Sequence, residues 1–247
     1  MVSIITPSYN SSAFISQTIE SVLAQTYTEW EMLIVDDCST DDSADIIKRY
    51  CRQDARIRYL KTDVPSGSPC VPRNIGIMNA KGRYIAFLDS DDVWFPDKLE
   101  EQMKCFADTA ATVVYSNYEK ISEDGKREGR VVTAPSQVSY KELLKGNVIG
   151  NLTGMYDTKK IGKMYCSNIP HEDYILWLSI LKKGGVARNT NAVHALYRVR
   201  SQSVSANKWT VLFWQWNIYR NVEKTGFLCA CYYFLHYAWR ALLKNMK

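Results

Sequence analysis

The sequence predicts an α/β protein with a mostly parallel sheet flanked by helices, and two features of the chain carry that prediction. Short apolar runs alternate with amphipathic stretches through the first half, the pattern of successive strand–helix units. Acidic or polar turns close those runs, where the carboxyl ends of parallel strands gather ligands. With 247 residues, the chain is long enough to bury a sizeable core.

The elements follow in order. Val2–Thr6 reads as a buried strand closed by Pro7, Ser8, Tyr9 and Asn10, after which Ser11 or Ser12 caps a helix bearing Phe14, Ile15, Ile19, Val22 and Leu23. Met32–Val35 is a second strand ending at Asp36-Asp37, and Asp41 or Asp42 opens the next helix. Ile57–Leu60 is a third strand. Gly67-Ser68-Pro69 breaks the chain before a helix over Val71–Ala80, with Gly82 as its C-cap. Tyr84–Leu88 runs into Asp89-Ser90-Asp91-Asp92, and Pro96 starts a helix carrying Leu99, Met103 and Phe106. Thr112–Tyr115 is a strand, Glu123–Lys126 a hairpin tip, Ile169–Lys183 a helix and Ala192–Val199 an edge strand.

The formal charge is +5, and its location matters more than its size. From Ala206 onward Lys208, Arg220, Lys224, Arg240, Lys244 and Lys247 face Glu223 alone, so the tail carries the whole excess. A neutral body with a basic aromatic tail points away from nucleic acid and toward an anionic membrane surface. The seven scattered cysteines include no C-x-x-C pair, which argues against a disulfide framework and a zinc site. The N-terminus shows no signal-peptide pattern, and a reducing cytoplasm fits best.

Three acidic clusters carry the chemistry: Asp36-Asp37, Asp89-Ser90-Asp91-Asp92 and Glu172-Asp173. The first two should meet at the carboxyl edge of the sheet, where gathered carboxylates repel unless a cation or polar ligand offsets them. A divalent metal on a diphosphate answers that need, because hard oxygen ligands suit Mg²⁺ or Mn²⁺.

The strings Val2-Ser3-Ile4-Ile5-Thr6-Pro7-Ser8-Tyr9-Asn10 and Ile34-Val35-Asp36-Asp37-Cys38-Ser39-Thr40-Asp41 resemble the opening of a glycosyltransferase family 2 enzyme. Arg73-Asn74-Ile75-Gly76, Ala80 through Asp92, His171-Glu172-Asp173-Tyr174 and Tyr197 through Ser205 continue the likeness in order. The resemblance covers residues 1 to about 205 and implies the GT-A fold. After Ser205 the composition shifts to tryptophan, tyrosine and lysine, which separates a catalytic domain over 1–205 from a helical tail over 206–247; within the first, a nucleotide-binding half runs to about 115 and an acceptor half from about 116.

The implied activity is inverting, non-processive transfer of a sugar from a nucleotide-sugar donor, with UDP expected, to a saccharide acceptor. By analogy with bacterial surface-polysaccharide enzymes, that acceptor would be lipid-linked at the cytoplasmic face of the inner membrane. The resemblance implies that Asp36, Pro7, Tyr9 and Asn10 hold the nucleotide, with Asp89 and Ser90 near the ribose or sugar. Asp91 would take the divalent metal (Mn²⁺ or Mg²⁺), Arg73 would face the donor and Asp173 would be the general base. Glu172, Arg198 and Arg200 are candidate phosphate or acceptor contacts. An in-line displacement needs such a base on the face opposite the nucleotide.

Structural alternatives stand beside these roles. Asp36-Asp37 and Glu172-Asp173 suit loop and helix-start chemistry, Asp92 reads as a helix start before Pro96, and Arg73 suits structural neutralisation of carboxylates. Arg198 and Arg200 suit the solvated face of an edge strand. No Gln-x-x-Arg-Trp string or spanning helix marks a processive synthase. A sugar-1-phosphate nucleotidyltransferase should carry a glycine-rich loop after the first strand, where this chain has Pro7-Ser8-Tyr9-Asn10. A catalytically inactive binding module predicts nucleotide binding without transfer.

In the tail, Trp209, Leu212, Phe213 and Trp216 fall at amphipathic spacing, and the uncharged run Thr225–Trp239 suits an interfacial helix between Lys224 and Arg240. The competing reading packs both helices on the body or on a twin subunit.

Overall fold

The computed structural model describes residues 1–108, 110–200 and 208–245. The boundary expected at Ser205, the 201–205 end of the resemblance, Lys247, and the side chains of Trp209, Arg240 and Lys244 lie outside what is described.

β1 (Val2–Ser8) is buried along its length because both faces of the sheet are covered. Val2 and Ile4 enter one core, while Ile5 enters the other. β2 (Trp30–Asp36), β3 (Ile57–Lys61) and β4 (Tyr84–Phe87) join β1 in parallel, in the order β3-β2-β1-β4. The crossovers carry α1 (Ile15–Leu23), α2 (Ser43–Gln53) and α3 (Cys70–Asn79). Ile15, Ile19, Val22 and Ile47 cover the Ile4 side, and Cys70 and Ile77 cover the Ile5 side. The apolar periodicities place these strands and α3 to within two residues.

The chain continues with β5 (Val93–Trp94), α4 (Lys98–Asp108), β6 (Val113–Ile121), β7 (Arg127–Val132) and β8 (Gln137–Val138). It continues with α5 (Tyr140–Leu143), β9 (Met155–Asp157), α6 (Thr158–Ile161), α7 (Glu172–Lys182) and β10 (Ala187–Arg198). The sheet extends from β4 through β9, β6 and β10 to β5, with β9 antiparallel to both of its neighbours. One sheet thus carries strands from both halves of the body, and β6 itself crosses position 115.

Three local expectations are corrected. The strand expected as an edge at Ala192–Val199 is β10, which starts at Ala187 and lies inside the sheet between β6 and β5. Its bulges and buried polar residues, Asn189 among them, hide the alternation that marks a strand. Gly82 does not cap α3; a Cβ there would come within 2.7 Å of the Ser3 backbone nitrogen, so glycine lets the chain cross β1 closely. Neither Ser11 nor Asp42 caps by its side chain. Asp41 instead accepts from Ser43 and from the Ser12 amide, tying the start of α2 to the loop after β1.

The chain ends in α8 (Lys208–Asn217), a π-helical turn over Ile218–Val222 and α9 (Phe227–Asn245). Ile218, Tyr219 and Ala230 are fully buried in the core that holds α7. Phe213, Leu228, Leu235 and Trp239 point outward. The expected α8 stripe splits, because Trp216 turns onto Phe227 and Phe234 while Phe213 stays exposed. Among the described residues no helix is long and apolar enough to cross a membrane.

Candidate active site

The parallel registers bring Ser8 beside Asp36, and Leu88 donates its amide to the Ile5 carbonyl, so the loops after β1, β2 and β4 open at one edge. There Pro7, Tyr9, Arg73, Asp89, Ser90, Asp91, Arg198 and Arg200 line one cleft of about 530 Å³. Its size suits a small-molecule ligand.

Asp36 lies one residue behind the wall. Its carboxylate accepts from the Ser39 amide at 3.0 Å and the Tyr59 hydroxyl at 2.8 Å, and burial with that bond pushes the Tyr59 phenol up. Asp37 stands on the wall itself, accepting from the Thr62 hydroxyl and from the amide and hydroxyl of Ser66. Asn10 is not brought to the cleft. It adopts φ 45° and its side-chain oxygen accepts from the Thr40 amide, so it ties the β1 loop to the β2 loop. Tyr9 is 56% exposed at the rim and offers a ring face.

Arg73 joins the middle of the site. It is buried on α3, with one guanidinium nitrogen 2.7 Å from Asp89 and the other 2.6 Å from Glu172. Burial works against its charge, but the two carboxylates outweigh that and hold it protonated. Residues remote in sequence thus become one ionic chain: Asp89, Arg73, Glu172. Asp173 follows directly, receiving the Asn147 amide at 3.2 Å. Burial, with the charge of Glu172 adding to it, pushes its carboxyl up to about 6.

Asp91 faces the cleft with Arg200 Nη1 at 3.8 Å, and burial together with Asp89 raises its carboxyl above the ordinary range. Among the described residues no group of three or more His, Cys, Asp or Glu side chains is placed to share an ion. The donor set still fits half a site: Mg²⁺ and Mn²⁺ commonly take one or two carboxylates and complete their shell from phosphates and water. Asp91, with Asp89 two residues away, offers hard oxygens of that kind.

Arg198 and Asp92 differ from expectation. Arg198 is only 4% exposed and is not a solvated face. Its side chain donates to the Asp91 carbonyl, the Glu123 carbonyl and Gln17, while its amide donates to Asp92. It therefore pins the Asp89–Asp92 turn to α1 and to the β6–β7 hairpin. Asp92 is no helix start: it is buried, and burial with Asp91 and Asp89 pushes its carboxyl well up. Neither signal is local, because the partners lie about 100 positions apart in the chain.

The cleft also includes Tyr197, whose ring stands edge-on to Tyr118 at 5.8 Å. Tyr197, Asn147 and Asp37 were not assigned roles from sequence. The first two lie in segments without a clean apolar period, and Asp37 is hidden by its neighbour Asp36.

A model of Glycosyl transferase family 2 matches residues 3–166, two thirds of the chain. The chain belongs to that family.

Within family 2, it is similar to the putative teichuronic acid biosynthesis glycosyltransferase TuaG of Bacillus subtilis (strain 168). The two are 40% identical over 247 residues, covering all of this chain and 98% of TuaG. It is also 40% identical over 246 residues to WfaP of Escherichia coli, a UDP-Glc:alpha-D-GlcNAc-diphosphoundecaprenol beta-1,3-glucosyltransferase, covering 99% of this chain and 95% of WfaP. Among solved structures, the 1–349 segment of S. aureus TarS in complex with UDP-GlcNAc superposes with a TM-score of 0.73 at 21% identity. That match covers 89% of this chain, which spans 66% of the TarS segment, and it shows the GT-A fold shared by this glycosyltransferase.

Proposed function

We propose that this family 2 glycosyltransferase catalyses inverting, non-processive transfer of a sugar from a UDP-sugar to a saccharide carried on a lipid diphosphate in surface-polysaccharide synthesis. The observation that carries the reading is the Asp89–Arg73–Glu172 chain, which brings the donor-side acids of β4 next to Asp173 on α7. The names of WfaP and TuaG support the acceptor class and the setting.

In this reading Tyr9, Pro7 and the Asp36-Asp37 loop hold the nucleoside, and Asp89 and Ser90 hold the ribose or sugar. Asp91 would hold a divalent cation, which when bound would supply Lewis-acid stabilisation to the departing diphosphate. Arg200 stands beside Asp91, placed to meet a phosphate oxygen. Arg198, with its donors committed to protein oxygens, fixes the turn rather than the ligand. Asp173, its carboxyl raised to about 6, accepts the acceptor hydroxyl proton as that oxygen attacks the anomeric carbon from the face opposite the nucleotide. The body carries the reacting groups. The basic tail holds it on an anionic membrane at the cytoplasmic face, through the exposed Leu228, Tyr232, Leu235 and Trp239 of α9.

The test is donor hydrolysis over a panel of UDP-, GDP- and dTDP-sugars with Mn²⁺. Release of UDP from one sugar donor is the expected result, and nucleotide binding with silence across the panel would favour an inactive binding module instead.

A further inference from the structure

Asp173 is held between two segments, and the C-terminal helices touch both. The first segment is the start of α7. His171 sits there in the left-handed region at φ 64°, and its ring stands edge-on to Trp214 of α8, with centroids 5.5 Å apart. Burial lowers its pKa, and its Nε2 is enclosed without a partner, so the ring packs as a neutral plate. The second segment follows α5. The Tyr219 hydroxyl donates to the Leu144 carbonyl at 2.6 Å, and the Tyr237 ring lies 3.5 Å from the place a Cβ on Gly146 would take. The next residue is Asn147, whose amide donates to Asp173. Tyr174, adjoining Asp173, donates its hydroxyl to the Leu143 carbonyl and joins the two segments.

A non-glycine residue in the left-handed region is strained and persists only where its surroundings fix it. Here the described surroundings include Trp214. Releasing that contact frees the backbone one peptide before Glu172, and releasing Tyr219 or Tyr237 frees the peptide that aims Asn147. We infer that α8, the π-helical turn after it and α9 form a positioning clamp for Asp173: Trp214 acts through His171, and Tyr219 and Tyr237 act through the Leu143–Asn147 segment. The clamp rests on the assignment of Asp173 as the base. It makes the tail part of the transfer machinery as well as a membrane-facing element.

The experiment uses the full chain with Trp214→Ala, Trp214→Phe and Tyr219→Phe. Transfer kinetics are read beside UDP affinity by calorimetry and the Asp173 titration by carboxyl NMR. A misplaced base costs rate and not donor binding, so Trp214→Ala should lower kcat by about tenfold or more with UDP affinity unchanged. Trp214→Phe should restore most of the rate, which simple loss of fold stability would not explain. Tyr219→Phe removes one hydroxyl only and should lower kcat less, which keeps the test open if Trp214→Ala does not fold.

The groups facing Asp173 are Glu172, Arg73 and Asp89, with Tyr118 and Cys166 close enough to feel its charge. As the enclosure loosens, its titration midpoint should fall from about 6 toward the ordinary carboxylate range. Unchanged kcat in both Trp214→Ala and Tyr219→Phe overturns the clamp. If the unsubstituted protein moves no sugar, the functional reading fails, and the NMR midpoint still decides the clamp: a shift supports it, and an unmoved midpoint overturns it.

Discussion

On the β1–β3 side of the cleft, Asp36, Asp37 and Asp41 each accept at least two hydrogen bonds from backbone amides and hydroxyls. On the α7 side, Asp173 accepts one side-chain bond among the described residues, from Asn147 at 3.2 Å, and a backbone bond from Tyr174. For Asp41, burial alone would raise the carboxyl, but the bonds from Ser43 and Ser12 overcome it and hold the group at about 2. For Asp173, burial is not overcome, and the neighbouring Glu172 adds to it. The first arrangement fixes charge and geometry. The second leaves a carboxylate near the pH at which it can take up a proton, which a general base requires.

The largest expected effect tests that contrast directly. Asp173→Asn should lower transfer by about 10²–10⁴-fold while leaving UDP affinity within about twofold. The wild-type pH profile follows from the same group. The raised carboxyl must be ionised to accept a proton, so kcat/KM should be flat above about 6 and fall about tenfold per pH unit below it. Asp41, held near 2, stays ionised throughout that window. An acid limb centred near pH 4 would place the base at a different carboxylate.

A smaller effect probes the link between the two sides. Arg73→Met removes the cation between Asp89 and Glu172, leaving the acids to face each other. Breaking a buried pair costs about 3–5 kcal/mol, and the low end applies because both carboxylates are partly exposed. Urea unfolding should show that loss. The Asp173 midpoint should also rise, because Arg73 is the cation that lowers it. A midpoint that stayed put would separate the two acid clusters energetically.

The same contrast explains what the sequence made legible. The strands beside these acids are buried on both faces and read as continuous apolar runs, so Asp36 at the end of β2 and Asp89 after β4, with Asp91 close behind, stand out as the charges that close them. The cleft residues Tyr197, Asp92 and Arg198 depend on partners far along the chain, joined by a strand whose bulges erase its alternation. Asn10 is a different case: it sits in the resembling string, and its side-chain oxygen joins two loops. Asp173 was indicated by motif order, but its Asn147 partner and the nearby Trp214–His171 contact have no periodic signature at all.

The smallest expected effect on catalysis comes from the outer face of α9. Leu228 and Leu235 are 83% and 69% exposed, whereas Ala230, on the opposite side of the helix from both, is fully buried against the body. The uncharged run from Thr225 to Trp239 is therefore apolar on both sides, and the fold uses only one of them. Burying a leucine side chain contributes about 1.5–3 kcal/mol, so two of them together should change membrane partitioning by well over tenfold. Leu228→Glu with Leu235→Glu should release the protein from liposomes containing anionic lipid, while transfer to a water-soluble acceptor stays unchanged. A second copy seated on this face would bring two tails of the same basic sign together, which disfavours pairing at low salt. Unchanged liposome binding with a shift in oligomeric state would nevertheless assign the face to a twin subunit.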